Sequence, residues 1–310
     1  MKIVALAGGV GGARLANGLA KLIDPDNISI IVNTGDDFSY AGLYICPDLD
    51  TVTYTLAGIN DPVNGWGIEN ETFNVLSSLE ALGHPVWFRL GDRDLATHIE
   101  RTRLLNDGLS LTEVVSRLSH RLNVKHPILP MSDTPVHTLV DTVENGVLSF
   151  QEYFVKHKCQ PNVKSIQFSG SKNARMTEPV ADSLKKADLV LFCPSNPFVS
   201  IDPILSVPGL RELVKRKPVV AISPLIGGKT IKGPAAKMMR EMNIEPSSLN
   251  IAKYFKDLLT GFVIDHTDAS NADLIRQFGI IPLVTDILMI GVDGQMRLAR
   301  EVTEFGKTLI

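Results

Sequence analysis

Cysteine, tryptophan and tyrosine are sparse in this 310-residue chain, at three, two and five residues, and aromatics make up 6%. Cys46, Cys159 and Cys193 stand far apart and in no C-x-x-C pair, so neither a disulfide framework nor a zinc knuckle is expected. They read as reduced packing residues. Neither sign of charge dominates. The balance 31 − 34 = −3 argues against a general binder of nucleic acid or of an anionic membrane surface. No apolar run reaches the roughly 18 residues that cross a bilayer, and the opening Met1–Ala7 turns into glycine too early for a secretion signal. A cytoplasmic protein with no nucleic-acid and no membrane partner is expected. The seven histidines form no H-x-x-x-H or H-E-x-x-H arrangement and there is no G-x-S-x-G elbow, which removes zinc and serine hydrolases of those types.

What is present is an ordinary globular composition, 44% hydrophobic and 21% charged, long enough for two domains or for one large α/β unit with an insertion. The apolar run Lys2–Leu6 ends in Gly8-Gly9-Val10-Gly11-Gly12, after which Ala13–Leu22 is apolar at helical spacing. Ile28–Val32 is a second β-branched run, so the start reads as a right-handed βαβ unit. Leu189–Cys193, Val219–Ile222 and Gly261–Ile264 repeat the pattern, each ending in turn-forming residues. In an open parallel sheet such carboxyl-end loops share one edge, where ligands bind. Between about Asp50 and Asn123 the texture changes to amphipathic segments at Glu71–Leu82, Asp94–Leu105 and Ser110–Leu122, with Ser110 and Glu113 at capping-box spacing. Extended structure resumes at Pro127–Pro130 and Val136–Val143. The expected fold is α/β, a Rossmann-like three-layer parallel sheet with a mostly helical inserted subdomain. Residues 1–50 and 124–310 form the nucleotide-binding core and 51–123 the insertion.

Three loops carry the chemistry. Glycines at Gly8–Gly12 let backbone N–H groups approach a phosphate at the positive end of the next helix, although Arg14 stands where the dinucleotide fingerprint needs its third glycine. The competing reading is a tight strand-to-helix turn with no ligand. Asn33-Thr34-Gly35-Asp36-Asp37 and Cys46-Pro47-Asp48-Leu49-Asp50-Thr51 bring four aspartates near that loop. Together they suit an oxygen-seeking divalent cation; singly, each could cap a turn or helix, with Asp50 as N-cap before Thr51. Ser223–Thr230 nearly matches the Walker loop, but Gly233-Pro234 follows at once, so Lys229 is kept as an anion contact without an ATPase reading. Arg89, beside Trp87 and Phe88 at an expected strand-to-helix junction, could clamp a polar ring or phosphate, or simply pair with a surface aspartate. His98 and His137 read as packing or surface residues.

Leu6–Arg14, Asn33–Asp37, Cys46–Thr51, Gly91–His98, Pro194–Pro197 and Ser223–Lys229 resemble, in that order, the motifs of the 2-phospho-L-lactate transferases. The resemblance implies transfer of a phospholactyl or phosphoenolpyruvyl group from a guanosine-diphosphate-linked donor to the ribityl hydroxyl of 7,8-didemethyl-8-hydroxy-5-deazariboflavin, with magnesium, releasing GMP, in the biosynthesis of a deazaflavin coenzyme. On that reading Gly9, Val10, Gly11, Gly12 and Asn33 hold the diphosphate end, and Ser195, Asn196 and Lys229 the donor. Arg89 lies at the acceptor, Asp37, Asp48 and Asp50 bind the metal, and Asp50 is the acceptor contact or base. A homodimer is expected. A nucleotide-sugar-binding regulator of the same superfamily and an NAD-dependent oxidoreductase stay open as rivals. UDP-sugar binding without acceptor chemistry would favour the first, and a nicotinamide absorbance change the second.

Overall fold

The computed structural model describes residues 1–310. Seven strands form the central sheet: β1 (Ile3–Ala7), β2 (Ile28–Val32), β3 (Ile128–Pro130), β4 (Leu189–Phe192), β5 (Val219–Ile222), β6 (Gly261–Asp265) and β7 (Ile281–Thr285). Their order across the sheet is β7-β6-β5-β4-β1-β2-β3, and every adjacent pair is parallel. Helices of eight or more residues are α1 (Gly9–Ala20), α2 (Pro47–Ala57), α3 (Asn74–Ala81), α4 (Asp92–Asn106), α5 (Leu111–Arg121), α6 (Glu178–Lys186) and α7 (Gly291–Lys307).

A parallel strand with helices on both faces must be apolar on both sides, and β1 is: Val4 and Leu6 enter one core, Ile3, Ala5 and Ala7 the other. The first core takes α6 through Val180 and Leu184; the second takes α1 through Leu15 and Leu19 and α7 through Leu298 and Val302. The Rossmann-like three-layer architecture is therefore present. The expected strand at Pro127–Pro130 is β3, at the sheet edge, where a terminal proline disturbs no further ladder.

Ser110 caps α5 as its sequence predicts, accepting from the Glu113 N–H while the Glu113 carboxylate takes the Ser110 N–H. α2 begins at Pro47 with Cys46 as N-cap, so Asp50 lies inside the first turn and is not the cap. The helix runs across residue 50 and contributes Leu49 and Val52 to the core shared with α1. Through Leu95, α4 joins a small hairpin, Phe38–Tyr40 with Leu43–Ile45, around an aromatic cluster. There Phe38 meets Phe88 edge-on at 4.9 Å between ring centroids. A separate antiparallel sheet of His137–Thr142, Gly146–Ser149 and Val163–Ser169 packs Val140 into the first core; only its first strand is legible as extended sequence. No helix is long and apolar enough to cross a membrane.

Candidate active site

β1 pairs with β2 on one side and β4 on the other, so the chain reverses its direction of travel across the sheet at β1. A crevice opens at the carboxyl ends of strands at such a point. The glycine turn, the loop at Asn33, the start of α2 and the loop after β4 meet there. Gly8 is extended and Gly9 has φ of +61°, a left-handed backbone that favours glycine and lets α1 start within one residue of the strand. The first N–H groups of a helix have no partner inside it. Here that of Gly8 donates to Ser195 Oγ at 3.2 Å, and that of Gly9 to Asp48 Oδ1 at 2.8 Å. Asn33, fully buried, donates to Asp48 Oδ2 at 2.9 Å and to the Val199 carbonyl, and its Oδ1 accepts the Gly35 N–H. Asn33 thus aims the Asp48 carboxylate, while Ser195 pins the turn by donating in addition to the Gly8 carbonyl at 2.9 Å. The N–H groups of Val10 and Gly11 make no bond beyond the helix, at the end of α1 where the helix dipole favours an anion.

Gly11 lies so close to β4's exit loop that a Cβ would sit 2.3 Å from the Pro194 carbonyl oxygen. Gly11→Ala is expected to lower stability by about 1–3 kcal/mol, outweighing alanine's helix preference of about 1 kcal/mol. Urea unfolding checks this, and a midpoint at or above the wild-type value would contradict the close approach.

The aspartates divide into two sets. Two residues along a helix turn it about 200°, so Asp48 and Asp50 leave α2 on nearly opposite sides. Asp48 faces the glycine turn and Asp36. Burial pushes the Asp48 carboxyl up to about 6, against the bonds from Asn33 and Gly9. Asp36 is raised well above its ordinary value by burial and then by the Asp48 charge, and its Oδ1 has no partner. Asp50 instead faces α4, where Asp94, His98 and Arg101 recur at i, i+4 and i+7 on one face. Arg101, 2% exposed, engages Asp50 with both arms, Nη1 to Oδ2 at 3.0 Å and Nη2 to Oδ1. His98 sits between the carboxylates, Nδ1 3.7 Å from Asp50 and Nε2 3.2 Å from Asp94. The Tyr54 hydroxyl donates to Asp94 at 2.6 Å. Burial alone would raise the Asp94 carboxyl, but His98, Tyr54 and the Arg101 charge bring it below its ordinary value. Asp37 is buried with both carboxylate oxygens unpartnered, and burial raises it well above its ordinary value.

The three residues expected to share a metal, Asp37, Asp48 and Asp50, do not form one coordination shell. The one acidic group whose ligand atoms lie within 4.8 Å of each other is Asp50, Asp94 and His98, and there Arg101 already supplies the cation. Among the other predicted contacts, Asn196 caps the turn at Pro197–Ile201 by accepting the Phe198 N–H at 3.0 Å. Gly12 packs against Ser195 and Ala7. Arg89 is exposed in an irregular segment rather than after a strand, with its guanidinium 4.2 Å from the centroid of the Phe73 ring. Lys229 is exposed in a two-residue hairpin arm, Leu225–Ile226 with Lys229–Thr230, in place of a Walker helix. His137 is on the surface, but His98 belongs to the buried charge network with Asp94 and Arg101, which the packing reading missed.

The sequence pattern of the family described as 2-phospho-L-lactate transferase CofD matches residues 3–286. The chain belongs to the CofD family. It is 38% identical over 302 residues to the 2-phospho-L-lactate transferase of Methanosarcina mazei, covering 97% of this chain and 99% of that one. It is 40% identical over 314 residues to the phosphoenolpyruvate transferase of Streptomyces griseus, covering 99% of each. A solved structure of a UPF0052-family protein from Bacillus halodurans superposes with a TM-score of 0.62 over 97% of this chain and 98% of that one; at 15% identity it shows the shared fold. As a CofD-family chain this protein is a transferase of that type, and the β1–β4 switch point is its candidate active site.

Proposed function

We propose that the protein transfers a phospholactyl or phosphoenolpyruvyl group from a guanosine-diphosphate-linked donor to the ribityl hydroxyl of a deazariboflavin. The observation that carries this reading is the convergence, at one switch point, of an open pair of helix-terminal N–H groups with the buried Asp36 and Asp48. The hydroxyl oxygen forms a bond to the phosphorus of the transferred group, the P–O bond to GMP breaks, and GMP leaves with the electron pair as the hydroxyl proton is lost. Such a step depends on positioning and on neutralising phosphoryl oxygens more than on a strong base. Val10 and Gly11 N–H groups hold the phosphate end. Asp50, held by both arms of Arg101 on the side of α2 that faces α4, fixes the two helices against each other in this reading rather than serving as the base beside the phosphate.

Two crowded carboxylates with an unpartnered oxygen suit a hard cation, so magnesium fits Asp36 and Asp48 better than the set first expected. When bound it neutralises charge on the diphosphate. Because the Asp48 carboxyl rises from 3.8 to about 6 on folding, the folded state holds the extra proton between those values. Its contribution to stability is fully present below pH 3.8 and is lost as pH rises through about 6. Above that pH, magnesium at a hundredfold excess over its Kd is expected to restore about 2–3 kcal/mol. Thermal unfolding with and without magnesium on either side of that pH reads both effects. A melting point that ignores magnesium above it would remove Asp36 and Asp48 as ligands. The transfer itself is tested by incubating the protein with the deazariboflavin, magnesium and each guanylylated donor in turn. A product heavier by the phospho-acid, with matching GMP, is expected, whereas unchanged acceptor with both donors would overturn the proposal.

A further inference from the structure

The buried bonds that join α2 to α4 leave His98 only one proton arrangement. Its Nδ1 stands 3.1 Å from Arg101 Nη1 and 3.7 Å from Asp50 Oδ2. A guanidinium nitrogen donates and never accepts, so the ring nitrogen facing it offers a lone pair. A proton on Nδ1 would point at a cation that is nearer than the carboxylate. The ring proton therefore sits on Nε2, which faces Asp94 Oδ1 at 3.2 Å. Every proton then has a direction: Tyr54 and His98 give theirs toward Asp94, while Arg101 Nη1 spends one N–H on His98 and one on Asp50. His98 is 1% exposed and Arg101 2%, so solvent does not compete for these bonds. The two coplanar arms of Arg101 on Asp50 would still let the guanidinium hinge about that carboxylate. The bond to His98 Nδ1, from three residues earlier on the same helix, removes that freedom.

We propose that His98, as a neutral Nε2–H imidazole, is a positioning residue for the transfer: its Nδ1 lone pair aims Arg101 at Asp50 and so seats the helix turn that carries Asp48. Asp48 and Asp50 share the first turn of α2, so what holds Asp50 from the side of α4 also holds Asp48 toward the glycine turn. The effect of His98 on turnover rests on the proposed reaction; its proton arrangement does not.

Long-range proton–nitrogen correlation spectra of wild type with isotope-labelled histidine read each ring nitrogen directly, and the peaks missing from His98→Asn identify His98. A protonated Nε2 and a bare Nδ1 are expected at neutral pH. Two protonated nitrogens, or a proton on Nδ1 alone, would overturn the proposal. Turnover then reads the role, with unfolding midpoints as a check on folding. In His98→Asn the side-chain oxygen can take the place of Nδ1 and accept from Arg101, in His98→Gln the amide reaches toward the place of Nε2 instead, and His98→Leu offers neither. His98→Asn is expected to keep kcat within about threefold of wild type, whereas His98→Gln and His98→Leu lose about 10- to 100-fold in kcat with donor KM changed less than about twofold. A fall in His98→Asn as deep as in His98→Leu, or wild-type kcat in all three, would overturn the positioning role. If wild type transferred nothing, the proposed reaction would fail and the positioning role with it, while the spectra would still decide the proton arrangement.

Discussion

Arg101→Met is expected to destabilise the protein by about 3–5 kcal/mol, the largest stability loss of any single substitution considered for this chain. The reason is what the change leaves behind. Asp50 and Asp94 are 6% and 8% exposed, and with the guanidinium gone they face one another across His98 with no fixed cation. Arg101→Lys is expected to recover little, because one ammonium cannot engage both Asp50 oxygens and also reach the Tyr44 carbonyl as Nη1 does at 3.4 Å. Removing both partners, in Arg101→Met with Asp50→Leu, is expected to return much of the stability, since the cost lies in the unpaired charge rather than in the absence of the pair. Guanidinium unfolding of the three proteins measures this. A loss under about 1 kcal/mol for Arg101→Met would mean that the α2–α4 charge network is hydrated and loosely held.

Asp48→Asn carries the largest expected effect on turnover, a fall of about 100- to 1000-fold in kcat. Asparagine keeps the size and still presents one oxygen, but it must set an amide N–H2 against either the Gly9 N–H or the Asn33 amide. It also ends the crowding with Asp36 that suits the pocket to a cation. The loss is expected in kcat at saturating donor, with the stability change between pH 3.8 and about 6 abolished in the same variant. Activity within a few-fold of wild type would leave the Asp48 carboxylate as a strut for the glycine turn and nothing more.

Asp48 and Asp50, the partner of Arg101, lie two residues apart, and sequence inspection treats them as one cluster. The βαβ start was legible because a buried parallel strand must be apolar on both faces and must stop where glycine permits a tight turn, as Ile3–Ala7 and Gly8–Gly9 do. The Ser110–Glu113 cap was legible because it is entirely local. The partition of Asp48 from Asp50 was available in principle: with Pro47 fixing the first helical position, helical phase alone sends the two side chains apart. The periodicity of Asp94, His98 and Arg101 was likewise on view in the sequence. Their partner was not, since Asp50 is 51 residues away from Arg101 and meets it only through the packing of α2 beside α4. The antiparallel sheet that begins at His137 was half-legible because its second strand, Gly146–Ser149, is largely exposed and carries little hydrophobic pattern.

The most direct measurement is an amide-resolved NMR titration of the protein with GDP and magnesium. The largest shifts are expected on the Val10 and Gly11 amides, accompanied by Gly9 and Asn33. The molecule offers a natural alternative in the open cleft of about 380 Å³ between the starts of α5 and α6, lined by Ser110, Thr112, Arg175 and Thr177. Shifts gathered there, with the glycine turn silent, would contradict the assignment of the β1–β4 switch point as the site of transfer.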